Sequence, residues 1–191
     1  FEIDAGIVEQ QGTALLRRPR FRRPGQDLLA TLNLRNKDSE AFQETAATLA
    51  LSLEREFDDI WTASLGGSIE ALRVSDNTGE RDFLLFGVPG SLTRDTRDNP
   101  LDATEGTRVR LTATPYLATV DRTQPFGRAT LSGSAYWGVD AANRVVLAGR
   151  GRLGTLVGAE TEDVPASKRF YAGGGGSIRG FPFEEVGPLD A

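Results

Sequence analysis

The residues of this sequence with the most suggestive chemistry lie near its end, in the segment Lys168–Phe181. Its four consecutive glycines, Gly173–Gly176, lack a Cβ, so the backbone can approach other groups closely or adopt positive φ angles. Glycine-rich loops can cradle phosphates, but the spacing does not fit. The dinucleotide pattern needs a third glycine where Ile178 or Arg179 stands, and the Walker pattern needs a lysine where Phe181 stands. From composition alone, the glycine run could also be a flexible linker.

Catalytic chemistry finds little support among the other side chains. The chain has no histidine and no cysteine, which removes Ser-His activation, the usual zinc ligands, thiolate sites and disulfides. Carboxylates such as Glu54 and Glu70 could face each other as in a glycosidase, but the sequence gives no distance between them. We expect them to pair with arginines instead, and we predict no catalytic residue, no metal site and no cofactor.

Length and charge limit the remaining classes of protein. The chain has 191 residues and a net charge of −5, enough for one or two soluble domains or part of one large barrel. The arginine-rich segment Arg17–Gly25 contains two prolines, and in an acidic chain it indicates a solvated turn rather than a nucleic-acid patch. Neither a signal peptide nor an apolar run of the roughly 18 residues of a membrane helix is visible. Transmembrane β-strands give a weaker signal, about 9–11 residues of alternating polarity.

Such alternation recurs along the whole chain. Eight strand-like runs are separated by turns: Phe1–Arg17, Leu28–Leu34, Thr45–Phe57, Trp61–Val74, Phe83–Thr93, Arg108–Leu117, Gly127–Trp137 and Val145–Val157. The third run is rich in Ala, Leu and Glu and could be a helix, but its period of two favours a strand. Regular spacing of strands indicates an all-β sandwich or barrel. Several runs exceed the usual strand length of about 5–6 residues, which favours a membrane barrel.

The two faces of these runs differ in polarity. An apolar face that would point to lipid contains Leu49, Leu51, Leu53, Leu65, Ile69, Val109, Leu111, Leu131, Leu147 and Leu153. A charged face that would point into a wet lumen contains Glu54, Glu70, Arg108, Arg110, Arg128, Arg150 and Arg152. In a soluble sandwich the apolar face would form the core, and periodicity alone does not separate the two cases.

Two segments carry a more specific signal, and together they resemble the signatures of the BamA/TamA superfamily of outer-membrane assembly factors. The first gives a lumen-loop motif: Arg169, Phe170, Gly173, Gly174, Ile178, Arg179, Gly180 and Phe181. The second lies in Thr93–Gly106 and gives a periplasmic-turn motif: Arg94, Asp95, Arg97, Asp98, Asp102 and Gly106. In that segment Ala103 stands where proline is commoner. A proline shortly before Arg-Phe-Tyr-Ala-Gly-Gly, here Pro165, makes the chain most similar to the TamA branch.

The resemblance implies an antiparallel, up-and-down transmembrane β-barrel in the outer membrane of a Gram-negative bacterium. Residues 1–191 would form about eight strands, the fourth to the eleventh, of a sixteen-stranded barrel. Residues 159–191 would be the sixth extracellular loop, which folds back into the lumen. Periplasmic turns would lie at Arg18–Gln26, Phe57–Ile60, Asp95–Gly106 and Gly138–Asn143. The periplasmic POTRA domains would lie outside this chain, which we expect to be a fragment, or the ordered part, of a longer protein.

The resemblance also implies a function. The protein would insert or translocate β-barrel and autotransporter proteins by pairing a client strand with the edge of a barrel seam, without making or breaking bonds. Its partners would be the outer-membrane bilayer, unfolded client proteins and a periplasm-spanning protein of TamB type, but no nucleic acid. Two alternatives remain: a secretion pore of the two-partner type, and a soluble β-sandwich binding module with a glycine linker.

One residue of the lumen loop is expected to need a partner. Arg179 would lie at the tip of that loop, where its guanidinium is costly to bury unless carboxylates or carbonyls accept its hydrogen bonds. Glu54 and Glu70 are the candidates within this chain.

Overall fold

The computed structural model describes residues 2–5, 9–38, 42–76, 79–119, 123–140, 144–160 and 163–170. Ten antiparallel β-strands in these ranges form a single sheet. They are β1 (Glu2–Ala5), β2 (Glu9–Arg18), β3 (Gln26–Asp38), β4 (Gln43–Glu56), β5 (Trp61–Asp76), β6 (Gly79–Gly87), β7 (Gly90–Asp95), β8 (Gly106–Thr119), β9 (Thr123–Gly138) and β10 (Val146–Val157). No helix of the described residues is long and apolar enough to cross a membrane.

The sheet is a meander in which strands pair with their neighbours in sequence, as predicted. The exception is the Phe83–Thr93 run, which the structure divides into β6 and β7. Both pair with β5 on one side and β8 on the other, so together they occupy one position in the sheet. Pro89 lies at the break and has no amide hydrogen for the ladder, although its carbonyl still accepts from the Gly66 amide at 2.9 Å.

The first run, Phe1–Arg17, was predicted as one strand, and the structure corrects this. Glu2–Ala5 and Glu9–Arg18 are two strands that pair antiparallel, with Ile3 opposite Gly12 and Ala5 opposite Gln10. The chain therefore reverses between them. Alternation of apolar residues continues through positions 1, 3, 5 and 7, and this pattern alone carries no sign of a reversal.

The outer face of the sheet is apolar, and the prediction of its residues is confirmed. All ten leucine, isoleucine and valine residues predicted to point outward are 40–72% exposed. The seven charged residues predicted on the opposite face alternate with them. Of these, Glu70 is buried, Glu54, Arg108 and Arg128 are half-buried, and Arg110, Arg150 and Arg152 are exposed.

The inner face carries the core at one end of the sheet. We define the loop end as the end where β3 meets β4 and β8 meets β9, and the turn end as the opposite one. Near the loop end a buried cluster is formed by Phe42, Ala46, Leu72, Val74, Phe83, Leu85, Ala118, Phe126, Val164 and Ala166. The four turns predicted on one side all fall at the turn end, between β2 and β3, β4 and β5, β7 and β8, and β9 and β10.

Candidate functional site

A segment that follows β10 packs against the inner face of the sheet. This docking segment, Asp163–Phe170, places Val164, Pro165 and Ala166 out of contact with solvent. A short 3-10 turn at Ala166–Lys168 follows, in which the Lys168 amide donates to the Pro165 carbonyl at 2.9 Å. Apolar burial therefore holds the start of the predicted lumen loop against β4, β5, β6, β8 and β9.

An ion pair ties the same segment to β5. The Lys168 ammonium donates to both carboxylate oxygens of Glu70, at 2.8 and 2.7 Å. Both side chains are largely removed from solvent, at 15% and 6% exposure. Alternation along β5 directs Glu70 inward, between Thr48 of β4 and Leu85 of β6. The lysine ammonium also lies 5.8 Å from the centre of the Tyr116 ring, which favours a cation.

A second ion pair lies beside the first. Arg35 of β3 donates two hydrogen bonds to one oxygen of Glu44, from Nε at 3.1 Å and from a terminal nitrogen. The Glu44 side chain is fully buried, and its other oxygen has no hydrogen-bond partner among the described residues. Arg35 also attracts Glu70 electrostatically. The two pairs therefore lie side by side, and in each a cation is matched by a carboxylate.

The last residues of the docking segment rest on β9 and β10. Arg128 of β9 donates from Nε to the Lys168 carbonyl at 3.0 Å, and its guanidinium lies 4.4 Å from the centre of the Phe170 ring. The same ring covers Gly154 of β10, where a Cβ would lie 2.4 Å from ring carbons. A Cβ at this position would force the ring to shift, and as it stands Phe170 lies between the Arg128 guanidinium and the backbone of Gly154.

The predicted turn motif forms a compact network at the turn end. Arg97 donates to both oxygens of Asp95, at 2.8 and 2.7 Å, and to the Pro100 carbonyl at 3.0 Å. Its side chain is only 9% exposed, and it also interacts with Tyr136 of β9. Arg108 approaches the same aspartate at 3.7 Å. The fork geometry of arginine, with several donors in one plane, fixes the turn against two strands.

A second carboxylate closes this turn. Asp98 accepts hydrogen bonds from the Thr104 hydroxyl at 2.7 Å, the Thr104 amide at 3.0 Å and the Glu105 amide at 3.1 Å. These donors, the Thr104 hydroxyl first, stabilise the ionised form and lower the pKa of Asp98 to about 2. Gly106 follows with a φ of +98°, and a Cβ there would lie 2.2 Å from the Thr96 carbonyl oxygen. The turn therefore needs glycine at that position.

Comparison with known proteins identifies the family of this chain. Residues 2–191 match the Omp85 superfamily domain. The chain belongs to the Omp85 superfamily. Its fold is similar to that of the crystal structure of BamA from Haemophilus ducreyi lacking POTRA domains 1-3, with a TM-score of 0.83 at 16% identity. That similarity covers 95% of this chain and 39% of the BamA chain, so the chain spans well under half of that structure.

Membership of the Omp85 superfamily indicates what each face of the sheet contacts. Proteins of this superfamily are outer-membrane β-barrels of Gram-negative bacteria, and the outer membrane is where this chain resides. The exposed apolar face is thus the lipid face, and the inner face with its charges is the lumen wall.

The structure describes only part of the predicted site. The six residues of the turn motif are described: Asp95, Arg97, Asp98 and Gly106 form the turn network, and Arg94 donates weakly to the Thr107 hydroxyl at 3.4 Å. Asp102 is exposed and takes part through its amide, 3.4 Å from the Asn99 side chain. Of the lumen-loop motif, Arg169 and Phe170 are described, and Arg169 donates to the Val164 carbonyl at 3.0 Å. The others lie outside the described residues: Gly173, Gly174, Ile178, Arg179, Gly180 and Phe181.

The expected partners of Arg179 therefore stay a prediction. Of the two candidates, Glu70 already binds Lys168, whereas Glu54 lies 3.8 Å from Arg17 at the turn end. Lys168 was not predicted as a site residue, although it directly precedes the motif. Its role depends on a partner about one hundred positions earlier in the chain, which no local pattern indicates.

Proposed function

We propose that this chain is part of the barrel wall of a TamA-type assembly factor, which inserts or translocates β-barrel and autotransporter proteins. In this proposal residues 1–191 form strands four to eleven of a sixteen-stranded barrel, and residues 159–191 form its sixth extracellular loop. The turn end then faces the periplasm and the loop end faces the exterior. The activity makes and breaks no covalent bond, because a client strand is templated by edge pairing at the barrel seam.

The observation that supports this proposal most is the attachment of the docking segment to the lumen wall. Here the segment is held by buried apolar side chains and by the ion pair between Lys168 and Glu70. Such a brace couples the lumen to the wall and, through it, to the seam.

The proposal includes three partners, each at a different part of the barrel. At the lipid face the bilayer is the partner, and at the seam it is an unfolded outer-membrane client. A periplasm-spanning protein of TamB type would deliver substrates from the turn end, where the rigid turn Asp95–Gly106 presents Leu101 almost fully exposed. An apolar side chain on a fixed turn is suited to a protein contact.

Replacement of Arg179 by alanine in the protein with its native flanking sequence tests this function. We expect the barrel to fold, as judged by heat-modifiable migration, while surface display of an autotransporter passenger and levels of other outer-membrane barrels fall. Arg73→Ala is the matched control, because Arg73 forms an exposed pair with Asp82 outside the lumen.

The two readouts separate the alternatives. Wild-type assembly of all clients by Arg179→Ala would contradict the role given to the loop. A strain that lacks the protein provides the second comparison. If that strain fails to export one substrate while every other outer-membrane barrel is assembled normally, the protein is a two-partner pore instead.

A further inference from the structure

Four arginines form a regular array on the lumen wall near the turn end. The register places Arg108 of β8 opposite Ser134 of β9, and Ser134 opposite Arg150 of β10. Two residues further along, Arg110, Ser132 and Arg152 form a second row in the same way. The wall thus carries two Arg-Ser-Arg rows side by side, which we call the arginine array.

The positive charge of the arginine array is almost uncompensated within the described part of the chain. Asp95 approaches Arg108 at 3.7 Å, and it is already bound by Arg97 at 2.7 Å. No ion pair is found for Arg110, Arg150 or Arg152 among the residues that the structure describes. This contrasts with the loop end, where Lys168 binds Glu70 and Arg35 binds Glu44.

A cavity of about 930 Å³ lies over the arginine array. Its wall contains the four arginines and both serines, and the docking segment contributes Arg169 and Phe170 at the far side. No carboxylate lines it among the described residues. The site therefore combines concave shape with guanidinium forks that match carboxylate geometry. The Ser134 hydroxyl can donate between the arginines of its row, whereas the Ser132 hydroxyl donates weakly to the Arg110 carbonyl at 3.4 Å.

The dimensions of the array match an extended peptide. The two rows are separated by two residues along a strand, about 6.8 Å. Side chains two residues apart in an extended chain have the same spacing and point the same way. Within a row the arginines lie two strands apart, about 10 Å between backbones, so a carboxylate over the serine can receive hydrogen bonds from both sides. Lipid headgroups are unsuited to this position because the lipid face is the opposite side of the sheet.

We propose that the arginine array binds an extended acidic polypeptide segment whose carboxylates are two residues apart. The segment lies along β9, with one carboxylate over Ser134 between Arg108 and Arg150. The next carboxylate lies over Ser132, between Arg110 and Arg152. This binding goes beyond the assembly activity and does not depend on it, and it makes the turn end of the lumen selective for acidic chains.

Fluorescence anisotropy with labelled peptides tests the proposal on the purified protein in detergent, with its native flanking sequence. The probe is a seven-residue peptide of glycine and serine with two aspartates two positions apart. One comparison peptide has the aspartates adjacent, and another replaces them by asparagines. We expect the adjacent arrangement to bind at least about threefold more weakly and the asparagine peptide not to bind measurably.

Variants of the protein identify the site. Arg110→Gln with Arg152→Gln removes one row and should weaken binding at least tenfold, whereas Arg73→Gln outside the lumen should change nothing. Arg110→Lys with Arg152→Lys keeps the charge and should recover only part of the affinity, because lysine lacks the fork. Heat-modifiable migration establishes that each variant is folded.

Three outcomes would overturn the proposal. The first is no binding of the probe, and the second is equal binding by folded wild type and the Arg110→Gln, Arg152→Gln variant. The third is equal affinity for both aspartate spacings together with full competition by inorganic phosphate at the same charge concentration. That last result would show a general anion patch without a register. None of these outcomes bears on client assembly, so the proposed function is tested separately.

Discussion

The ion pair between Lys168 and Glu70 should control how firmly the docking segment is attached. In Lys168→Met the apolar stem is kept, but the buried Glu70 carboxylate loses both of its hydrogen bonds from lysine. At 2.7 Å and an effective dielectric constant of 20, the gross attraction between the charges is about 6 kcal/mol. Most of this attraction offsets the free-energy cost of removing the two charged groups from water. Removal of one partner of a buried ion pair costs about 3–5 kcal/mol. A loss of about 3 kcal/mol favours opening roughly 100-fold.

Hydrogen exchange measures this opening. The Arg169 amide donates to the Ala166 carbonyl within the docking segment, and it should exchange about 100-fold faster in Lys168→Met. The control is Arg73→Met, which breaks a pair whose side chains are 61% and 69% exposed and should change exchange by less than about fivefold.

The double variant Lys168→Met, Glu70→Leu replaces both charges by apolar groups and should recover much of the protection. If Lys168→Met exchanged like the control, or if the double variant opened more than the single one, the reasoning from buried charge would be wrong.

Three further predictions concern the turn and the lipid face. Gly106→Ala should cost about 1–3 kcal/mol in backbone strain alone, seen as a lower denaturation midpoint, while Gly67→Ala, where a Cβ has open space, should cost much less. The Asp98 carboxylate has a lowered pKa of about 2, so its stabilisation of the turn is present above about pH 4 and lost as the pH falls through 2. The protection factors of the two amides that donate to it should fall there, and in Asp98→Ala, which has no acceptor, they should be low at every pH. Leu111→Lys should lower folding stability in bilayers by about 2–4 kcal/mol, whereas Arg110→Ser on the lumen face should change it little.

Most of the sheet could be predicted because alternation is a local property. A residue's face follows from its parity in a strand, and the outward set from Leu49 to Leu153 needed no knowledge of pairing partners. The ends and number of the strands were predicted less well where a break or a reversal interrupts the alternation. Pro89 divides one run into β6 and β7, and the apolar alternation of the first residues did not indicate the reversal between Ala5 and Glu9.

The site was less predictable because its contacts are not local. Motif residues of the turn lie within a dozen positions of one another, so a local pattern can mark them, and in the structure Arg97 binds Asp95 and Asp98 accepts from Thr104. Lys168 and Glu70 meet only because the docking segment returns across four strands, and the pairing of Arg35 with Glu44 depends on the register of β3 and β4. Charge type and parity placed the carboxylates inward, but they did not say which cation each one binds.

The two ends of the lumen wall differ in how their charges are arranged among the described residues. At the loop end, cations and carboxylates are paired and covered by apolar side chains, so a charged ligand would have to break an existing pair before it could bind. At the turn end, none of the described residues covers the arginine array, which lies beside a turn held by Arg97 and Asp98. A ligand there does not have to displace a carboxylate from Arg110, Arg150 or Arg152, and ordering these exposed side chains is part of the free-energy cost of binding. The two ends therefore carry different proposed roles, recognition at the turn end and bracing at the loop end, and they meet where Arg169 and Phe170 of the docking segment line the cavity over the array. The variant Arg110→Gln, Arg152→Gln leaves the contacts of Lys168 with Glu70 in place and should leave the docking segment attached, whereas Lys168→Met should disturb both ends.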